Sequence, residues 1–238
     1  WTMPDLEEGE HHIEVMAEDA AGHRGNDSIR VTVDLTPPTM QFSVPPMSNS
    51  SMVNITWSGG SAPYTLEVDG RPMTVDGDWI VLELGEGEHL LVISSQDQAG
   101  NQGNSSARVT VDLTPPSLTI LSPQGAINQS RPVAVWESMD GLSGLQGMQM
   151  RMDDGDWVPV TGSNRTLPML GEGNHTLELQ ALDRAGNLVR ERVDFTVDTV
   201  APRVLDYTPA GEGVETDASI RITLSEPLGQ LNFTVEGV

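Results

Sequence analysis

One stretch of this chain occurs three times. It reads LEEGEHHIEVMAEDAAGHRGNDSIRVTVDLTPP over residues 6–38, LGEGEHLLVISSQDQAGNQGNSSARVTVDLTPP over 84–116 and LGEGNHTLELQALDRAGNLVRERVDFTVDTVAP over 170–202. The copies are offset by 78 and then by 86 residues, with no gap inside the unit. A repeat of this period constrains the architecture before any single residue does. On the first arm of each copy, Ile13, Val15 and Ala17, Leu91, Ile93 and Ser95, and Leu177, Leu179 and Ala181 alternate with their neighbours. On the second arm Val31 and Val33, Val109 and Val111, and Phe195 and Val197 do the same. Period-two alternation turns one face to a core and the other to water, so each copy is predicted to be a β-hairpin. The connection is Asp-x-Ala-Gly followed by His23, Asn101 or Asn187, residue types suited to a tight turn. Each copy runs into Val-Asp-x-x-x-Pro, where proline ends the ladder and opens a linker.

Length alone would suggest one or two domains, but the repeat sets units of about 80 residues. Residues 1–38 read as the C-terminal half of a domain, 39–116 and 117–202 as two complete domains, and 203–238 as the N-terminal part of another. Trp1 aligns with Trp79 at the 78-residue offset, so the sequence reads as a piece of a longer protein. In 39–116 strands are expected at Met40–Val44, Met52–Ser58, Tyr64–Val68, Met73–Val75 and Trp79–Leu84, with a hairpin turn at Asp69-Gly70. In 117–202 they are expected at Pro132–Trp136 and Met148–Met152, with an extended loop over 137–145 and a turn at Asp154-Gly155. Residues 219–224 and 233–235 read as strands of the last unit. With 24 glycines, 16 prolines and no helical apolar stripe, the composition is that of many short strands joined by turns. The fold class is therefore all-β, tandem immunoglobulin-like β-sandwich domains in an extended array, each with seven strands in about 80 residues.

The phrases L-x-E-G-x-H, D-x-A-G-N and V-D-x-T-x-P, with Trp136 followed by Asp140-Gly-Leu-Ser-Gly144, resemble the tandem immunoglobulin-like repeats of large secreted bacterial and archaeal surface proteins. That resemblance spans nearly the whole chain. It implies a secreted sandwich array serving as stalk, adhesin, surface-layer part or enzyme appendage.

Charge and composition narrow the partners. The formal net charge is −23 and all 12 basic residues are arginine, which argues against a nucleic-acid partner. Without lysine there can be no Lys–Asn isopeptide crosslink, and without cysteine no disulfide. No apolar run approaches the roughly 20 residues that span a membrane, and no signal peptide is visible.

The clearest chemical signal is Asn-x-Ser/Thr, the acceptor for N-linked sugar. It occurs at Asn26, Asn49, Asn54, Asn104, Asn128, Asn164, Asn174 and Asn232, eight of the ten asparagines, where chance would place about one or two. The pleat turns Asn54 outward, opposite to Val53 and Ile55. The plainer reading is that Asn, Ser and Thr are common in turns. The functional one is a sugar-coated surface outside the cell.

The recurring acids have two readings. Asp19, Asp97 and Asp183 open the hairpin turns, and Asp34, Asp112 and Asp198 close the last strands, as Asx turns and strand ends would. Strand direction alternates, however, so the exit Asp112 should face the Asp183–Asn187 loop of the next domain, with Asp140 nearby. Such a set suits a hard cation, calcium above all, which takes six to eight oxygens. The preceding junction offers Asp34, Asp97 and Asn101 without a third carboxylate, and should bind weakly or not at all. The histidines His11, His12, His89 and His175 belong to different domains and are read as rim residues rather than ligands. Trp57 and Trp136 are read as core.

Enzyme templates are missing: no Gly-x-Ser-x-Gly, phosphate loop, dinucleotide fingerprint or His-Glu-x-x-His occurs. The sequence thus points to a non-enzymatic, N-glycosylated extracellular repeat protein of the cell surface, a stalk, filament, surface-layer element or adhesin. The alternative is a carbohydrate- or ligand-binding accessory module of a large secreted enzyme. Other copies of the chain, joined head to tail, or cell-surface components are the expected partners. No cofactor is required, and calcium is the one cation the recurring acids could accommodate.

Overall fold

The computed structural model describes residues 5–208, 221–227 and 234. All regular structure in it is strand, and no helix long and apolar enough to cross a membrane occurs among these residues. The chain divides into two compact units, Trp1–Leu118 with Ser138–Gln149 and Gln180–Arg190, and Thr119–Glu137 with Met150–Leu179 and Glu191–Val238.

The first hairpin joins β1 (Gly9–Glu18) and β2 (Arg24–Val33), in antiparallel register from Gly9↔Val33 to Glu18↔Arg24. It stands as a two-stranded sheet, and its Val15 and Ile29 are exposed. Alternation supplies an apolar face, but a second sheet is needed to bury it.

Residues 41–111 contain β3 (Gln41–Ser43), β4 (Met47–Ser48), β5 (Met52–Ser58), β6 (Tyr64–Val68), β7 (Arg71–Val75), β8 (Trp79–Glu83), β9 (Gly87–Gln96) and β10 (Gln102–Val111). They form two sheets in the orders β3-β5-β8 and β4-β10-β9-β6-β7. The opening segment is thus two strands in different sheets, not the single strand expected. Pro45 and Pro46 lie between β3 and β4 and lack the N–H that would continue a ladder. β4 pairs parallel with the distant β10, Met47 with Thr110 and Ser48 with Val111. The core is filled by the inward residues of both sheets, Val53, Ile55, Trp57 and Leu82 from one, and Leu66, Leu91, Ile93, Val109 and Val111 from the other. Trp57 meets Tyr64 edge to face at 5.8 Å, a favourable aromatic geometry.

The next sandwich repeats the plan with β11 (Ser117–Ser122), β12 (Gly125–Ile127), β13 (Val133–Met139), β14 (Leu145–Met152), β15 (Val158–Val160), β16 (Asn164–Thr166), β17 (Gly173–Asp183) and β18 (Leu188–Val197). Its sheets run β11-β13-β16 and β12-β18-β17-β14-β15. Trp136, Leu167, Leu177, Leu179 and Ala181 are buried, and β12 again pairs parallel with β18. β13 extends to Met139, so the loop after it is shorter than the sequence suggested. Asp69 and Gly70 both have positive φ (50° and 78°), as a type I′ hairpin requires. The matching turn is centred on Asp153 and Asp154 (48° and 58°), one residue before the expected Asp154-Gly155. A last pair, β19 (Val204–Thr208) with β20 (Arg221–Leu224), is antiparallel. The strand expected at 233–235 lies outside the described residues.

Candidate functional sites: a carboxylate cluster and the acceptor asparagines

The Asp-x-Ala-Gly connection folds the same way in each copy. Asp97 N donates to the Asn101 carbonyl at 3.0 Å, and Gly100 N to the Asp97 carbonyl at 3.2 Å. Asp97 Oδ1 in turn accepts the Asn101 N–H at 2.8 Å. Asp183 Oδ1 accepts from Gly186 N at 2.6 Å and Asn187 N at 2.8 Å. In the first copy His23 stands where asparagine stands in the others. Its N–H and its ring nitrogen both lie 2.9 Å from the Asp19 carboxylate, and those contacts hold the Asp19 carboxyl below its ordinary value.

The asparagine amide then reaches the residue that ends the preceding copy. Asn101 Nδ2 donates to the Asp34 carbonyl at 2.9 Å and to Asp97 Oδ2 at 3.0 Å. Asn187 Nδ2 donates to the Asp112 carbonyl and to Asp183 Oδ2, both at 2.7 Å. The sequence reading counts these amides among the ligands of a cation. In the structure each NH2 is engaged as a donor, so the side chain acts as a strut between two acceptors.

Around the second strut three carboxylates converge. Asp112, Asp140 and Asp183 each offer an oxygen within 4.8 Å of the other two, and all three lie in the first compact unit. Asp112 and Asp183 are 0% exposed. Asp112 Oδ2 accepts from Ser143 N at 3.0 Å, and Asp140 Oδ1 accepts from Leu142 N and Gly144 N. The ion pairs of the described residues leave these three carboxylates out. Two like charges at that separation repel by about 3.5 kcal/mol at an effective dielectric near 20. Each hydrogen bond to a charged group returns roughly 1.5–3 kcal/mol. The donors therefore hold each carboxylate in place, while the mutual repulsion is what a cation would remove. Around Asp34, Asp97 and Asn101 no third acidic or histidine side chain completes a cluster among the described residues, and Asp34 is exposed.

The acceptor asparagines are placed as follows. Asn26, Asn49, Asn54, Asn104, Asn128, Asn164 and Asn174 are all exposed, and Asn232 lies outside the described residues. Asn26 Nδ2 donates to Glu14, and Asn174 Oδ1 accepts from the Thr196 hydroxyl at 2.8 Å. Of the tryptophans, Trp57 and Trp136 are core at 4% and 1% exposure, whereas Trp79 is 62% exposed.

One recurring pair is not legible in the sequence. His89 Nδ1 lies 2.7 Å from Asp69, and His175 Nδ1 lies 2.8 Å from Asp153. The signal was present as an aspartate at the hairpin turn about twenty residues before each histidine, but only strand pairing links the two. His11 Nε2 meets the Glu7 carbonyl at 2.7 Å, as His89 Nε2 meets Gly85.

Residues 76–143 match the family model of the bacterial Ig-like domain (group 3). The resemblance to bacterial Ig-like repeats stands. No curated protein matches the chain. Among solved structures, the fibronectin(III)-like modules of Clostridium thermocellum CbhA are 13% identical over 66% of this chain and 94% of theirs, with a TM-score of 0.41. A tetra-tandem repeat from the extending region of a large adhesion protein is 22% identical over 84% of this chain and 61% of its own, with a TM-score of 0.35. A Ca2+-stabilized adhesin with which an Antarctic bacterium reaches out and binds ice is 17% identical, TM-score 0.32, over 80% of this Ig-like chain and 57% of that one. The chain thus spans less than two thirds of either adhesin structure.

Proposed function

We propose that this chain is a non-enzymatic structural segment of an extracellular surface protein, serving as stalk, filament or surface-layer element. In this reading its surface is N-glycosylated and calcium sits among Asp112, Asp140 and Asp183. The observation that carries it is the tie between copies. The Asn187 strut joins the residue that ends one copy to the turn of the next, and three carboxylates converge at the same place. A repeat protein under tension needs reinforcement at its links, and that is where the chemically distinctive residues gather. Calcium would supply two positive charges and accept oxygens from the three aspartates, the remaining positions going to water or backbone carbonyls. Asn187 would position the aspartates rather than ligate.

The test is thermal melting of the 238-residue chain with calcium and with chelator, for the parent and for Asp183→Ala. Calcium should raise the melting temperature of the parent and leave the variant unchanged. Equal melting of the parent in calcium and in chelator overturns the cation reading. Mass analysis of protein from its natural source should find sugar on the Asn104 and Asn128 peptides, and bare peptides at all acceptors would remove the glycosylated exterior.

The second reading, a carbohydrate-binding accessory module of a secreted enzyme, is favoured by one observation, the exposed Trp79 indole on a sheet face. Binding of free oligosaccharide to the unglycosylated chain, abolished by Trp79→Ala, would establish it.

A further inference from the structure

The outer face of the three-stranded sheet β3-β5-β8 carries apolar side chains where a strand normally shows polar ones to water. Met52, Trp79 and Val81 are all exposed there, Trp79 to 62%. Asn54 lies among them. The register sets Asn54 opposite Val81 and Thr56 opposite Trp79. Directly opposed residues of an antiparallel pair share a face with Cβ atoms about 4.5–5.5 Å apart, and diagonal neighbours such as Asn54 and Trp79 lie about 7–8 Å apart. A pyranose ring attached to the amide bridges that gap. Asn54, Thr56, Trp79 and Val81 also line one shallow depression with Trp57 and Asp78. Because Asn54 and Thr56 are two residues apart on a strand, the acceptor amide and the hydroxyl of its triplet both face the tryptophan's side.

The second sandwich repeats the juxtaposition on other residues. Asn164 is set opposite Val135, and Thr166 opposite the exposed Val133. The acceptor triplet Asn164-Arg165-Thr166 has moved to the neighbouring strand, but it again stands across from apolar side chains on the outward face.

We propose that Asn54 carries an N-linked saccharide whose first pyranose ring lies on the indole face of Trp79, so that the chain's own sugar covers this apolar sheet face. The proposal rests on reading the Asn-x-Ser/Thr triplets as glycosylated. Attachment joins Asn54 Nδ2 to the anomeric carbon of a saccharide delivered on a lipid pyrophosphate. The amide gives up one proton and the lipid pyrophosphate leaves. The axial C–H bonds on one face of a pyranose point into the negative face of the indole, and stacking removes apolar area of both from water.

The experiment uses the 238-residue chain made in an N-glycosylating host, with peptide mass analysis of every acceptor. Parent, Asn54→Gln, Trp79→Ala and Trp79→Tyr are compared by melting, and the sugar protons by NMR. In the parent, sugar on Asn54 should raise the melting temperature by about 4 °C, the shift expected when roughly 1 kcal/mol is gained in a domain of this size. Its ring protons should be shifted upfield by the indole. Both effects should vanish in Trp79→Ala and be partly kept in Trp79→Tyr, and Trp79 is exposed, so these variants should fold. An occupied Asn54 with the same melting gain in Trp79→Ala overturns the proposal. Sugar on Asn104 and Asn128 with Asn54 bare overturns it while the glycosylated exterior survives. Bare peptides throughout overturn both. Trp79-dependent binding of N-acetylglucosamine oligomers to the unglycosylated chain, without sugar on Asn54, replaces it with a lectin surface.

Discussion

His89 is held at both ring nitrogens, Nδ1 2.7 Å from Asp69 Oδ2 and Nε2 2.9 Å from the Gly85 carbonyl oxygen. His175 repeats the arrangement with Asp153 at 2.8 Å and the Gly171 carbonyl at 3.0 Å. Both partners are acceptors, so both ring nitrogens have a use for a proton, and only the imidazolium carries two. Each aspartate is fixed in its turn, its Oδ1 accepting a strand N–H, from Leu90 or from Thr176, at 2.8 Å.

Stability should therefore depend on pH with a definite sign. The hydrogen bond to the aspartate raises each histidine above its ordinary value, and the same bond depresses Asp69. A raised histidine contributes stability fully below its unfolded value of about 6.5 and loses it as pH rises through the folded value. The depressed Asp69 contributes above its unfolded value of about 3.9 and loses that as pH falls. The pair is thus most stabilising between these limits. The melting temperature is expected to fall between pH 5.5 and pH 9, and to fall less in His89→Gln with His175→Gln. An identical drop in the double variant would show that the imidazoles are bystanders. The charge of Arg71 also lowers Asp69, and Arg192 and Asp194 line the depression beside His175, so the two sites have different charged surroundings and both histidines should be changed together.

The strut and the carboxylates should separate by their response to calcium. Asn187→Ala removes two hydrogen bonds of 2.7 Å whether or not a cation is present. It should cost about 1–3 kcal/mol in chelator and in calcium alike. Asp140→Asn keeps an oxygen to accept from Leu142 and Gly144 but removes one of the repelling charges, so it should melt above the parent in chelator and gain less from calcium. Asp97→Ala should leave the calcium response untouched. A lost response in that variant would place the ion at the other cluster.

Two glycines at the same repeat position should behave in opposite ways. A Cβ on Gly103 would fall 1.8 Å from the Pro38 carbonyl oxygen, whereas one on Gly25, 78 residues earlier, meets nothing within 4 Å. Gly103→Ala should destabilise by about 1–3 kcal/mol, as overpacking does. Gly25→Ala should be neutral or gain roughly 0.5–1 kcal/mol from strand propensity. Chemical denaturation of both variants measures the contrast.

Arg151 is the charge whose loss should be felt most. Its Nη2 lies 2.9 Å from both oxygens of Glu178, and its guanidinium stacks 4.9 Å over the Trp157 ring. Glu178 is 9% exposed, so Arg151→Met should cost up to about 3–5 kcal/mol by leaving a buried carboxylate without its main partner. Arg192, 4.0 Å from Glu178, moderates this toward the lower end. Adding Glu178→Gln to the first substitution should recover most of the loss, which urea denaturation of the pair would read directly.

The repeat and the strand alternation determined the all-β class, the hairpins of each copy and the inward residues of β5, β9 and β10, because a period of two fixes which side chains share a face. Trp57 and Trp136 were legible as core from their place on the second strand of an immunoglobulin-like sandwich, and both are buried. Strand alternation even brought Asp112, Asp140 and Asp183 to one end of the chain's path before any distance was known. Tertiary structure decided what depends on partners far apart in sequence. The parallel pairing of β4 with β10 has no local pattern, so the opening segment looked like one strand. The His89–Asp69 clamp joins residues that only the β6–β9 ladder makes neighbours. The Asn187 amide bridges the Asp112 carbonyl and Asp183, and only the approach of segments 75 residues apart makes that bridge. Val15 and Leu91 follow the same alternation, yet one is 63% exposed and the other fully buried. A pattern specifies a face, and only a second sheet packed over it turns that face into a core.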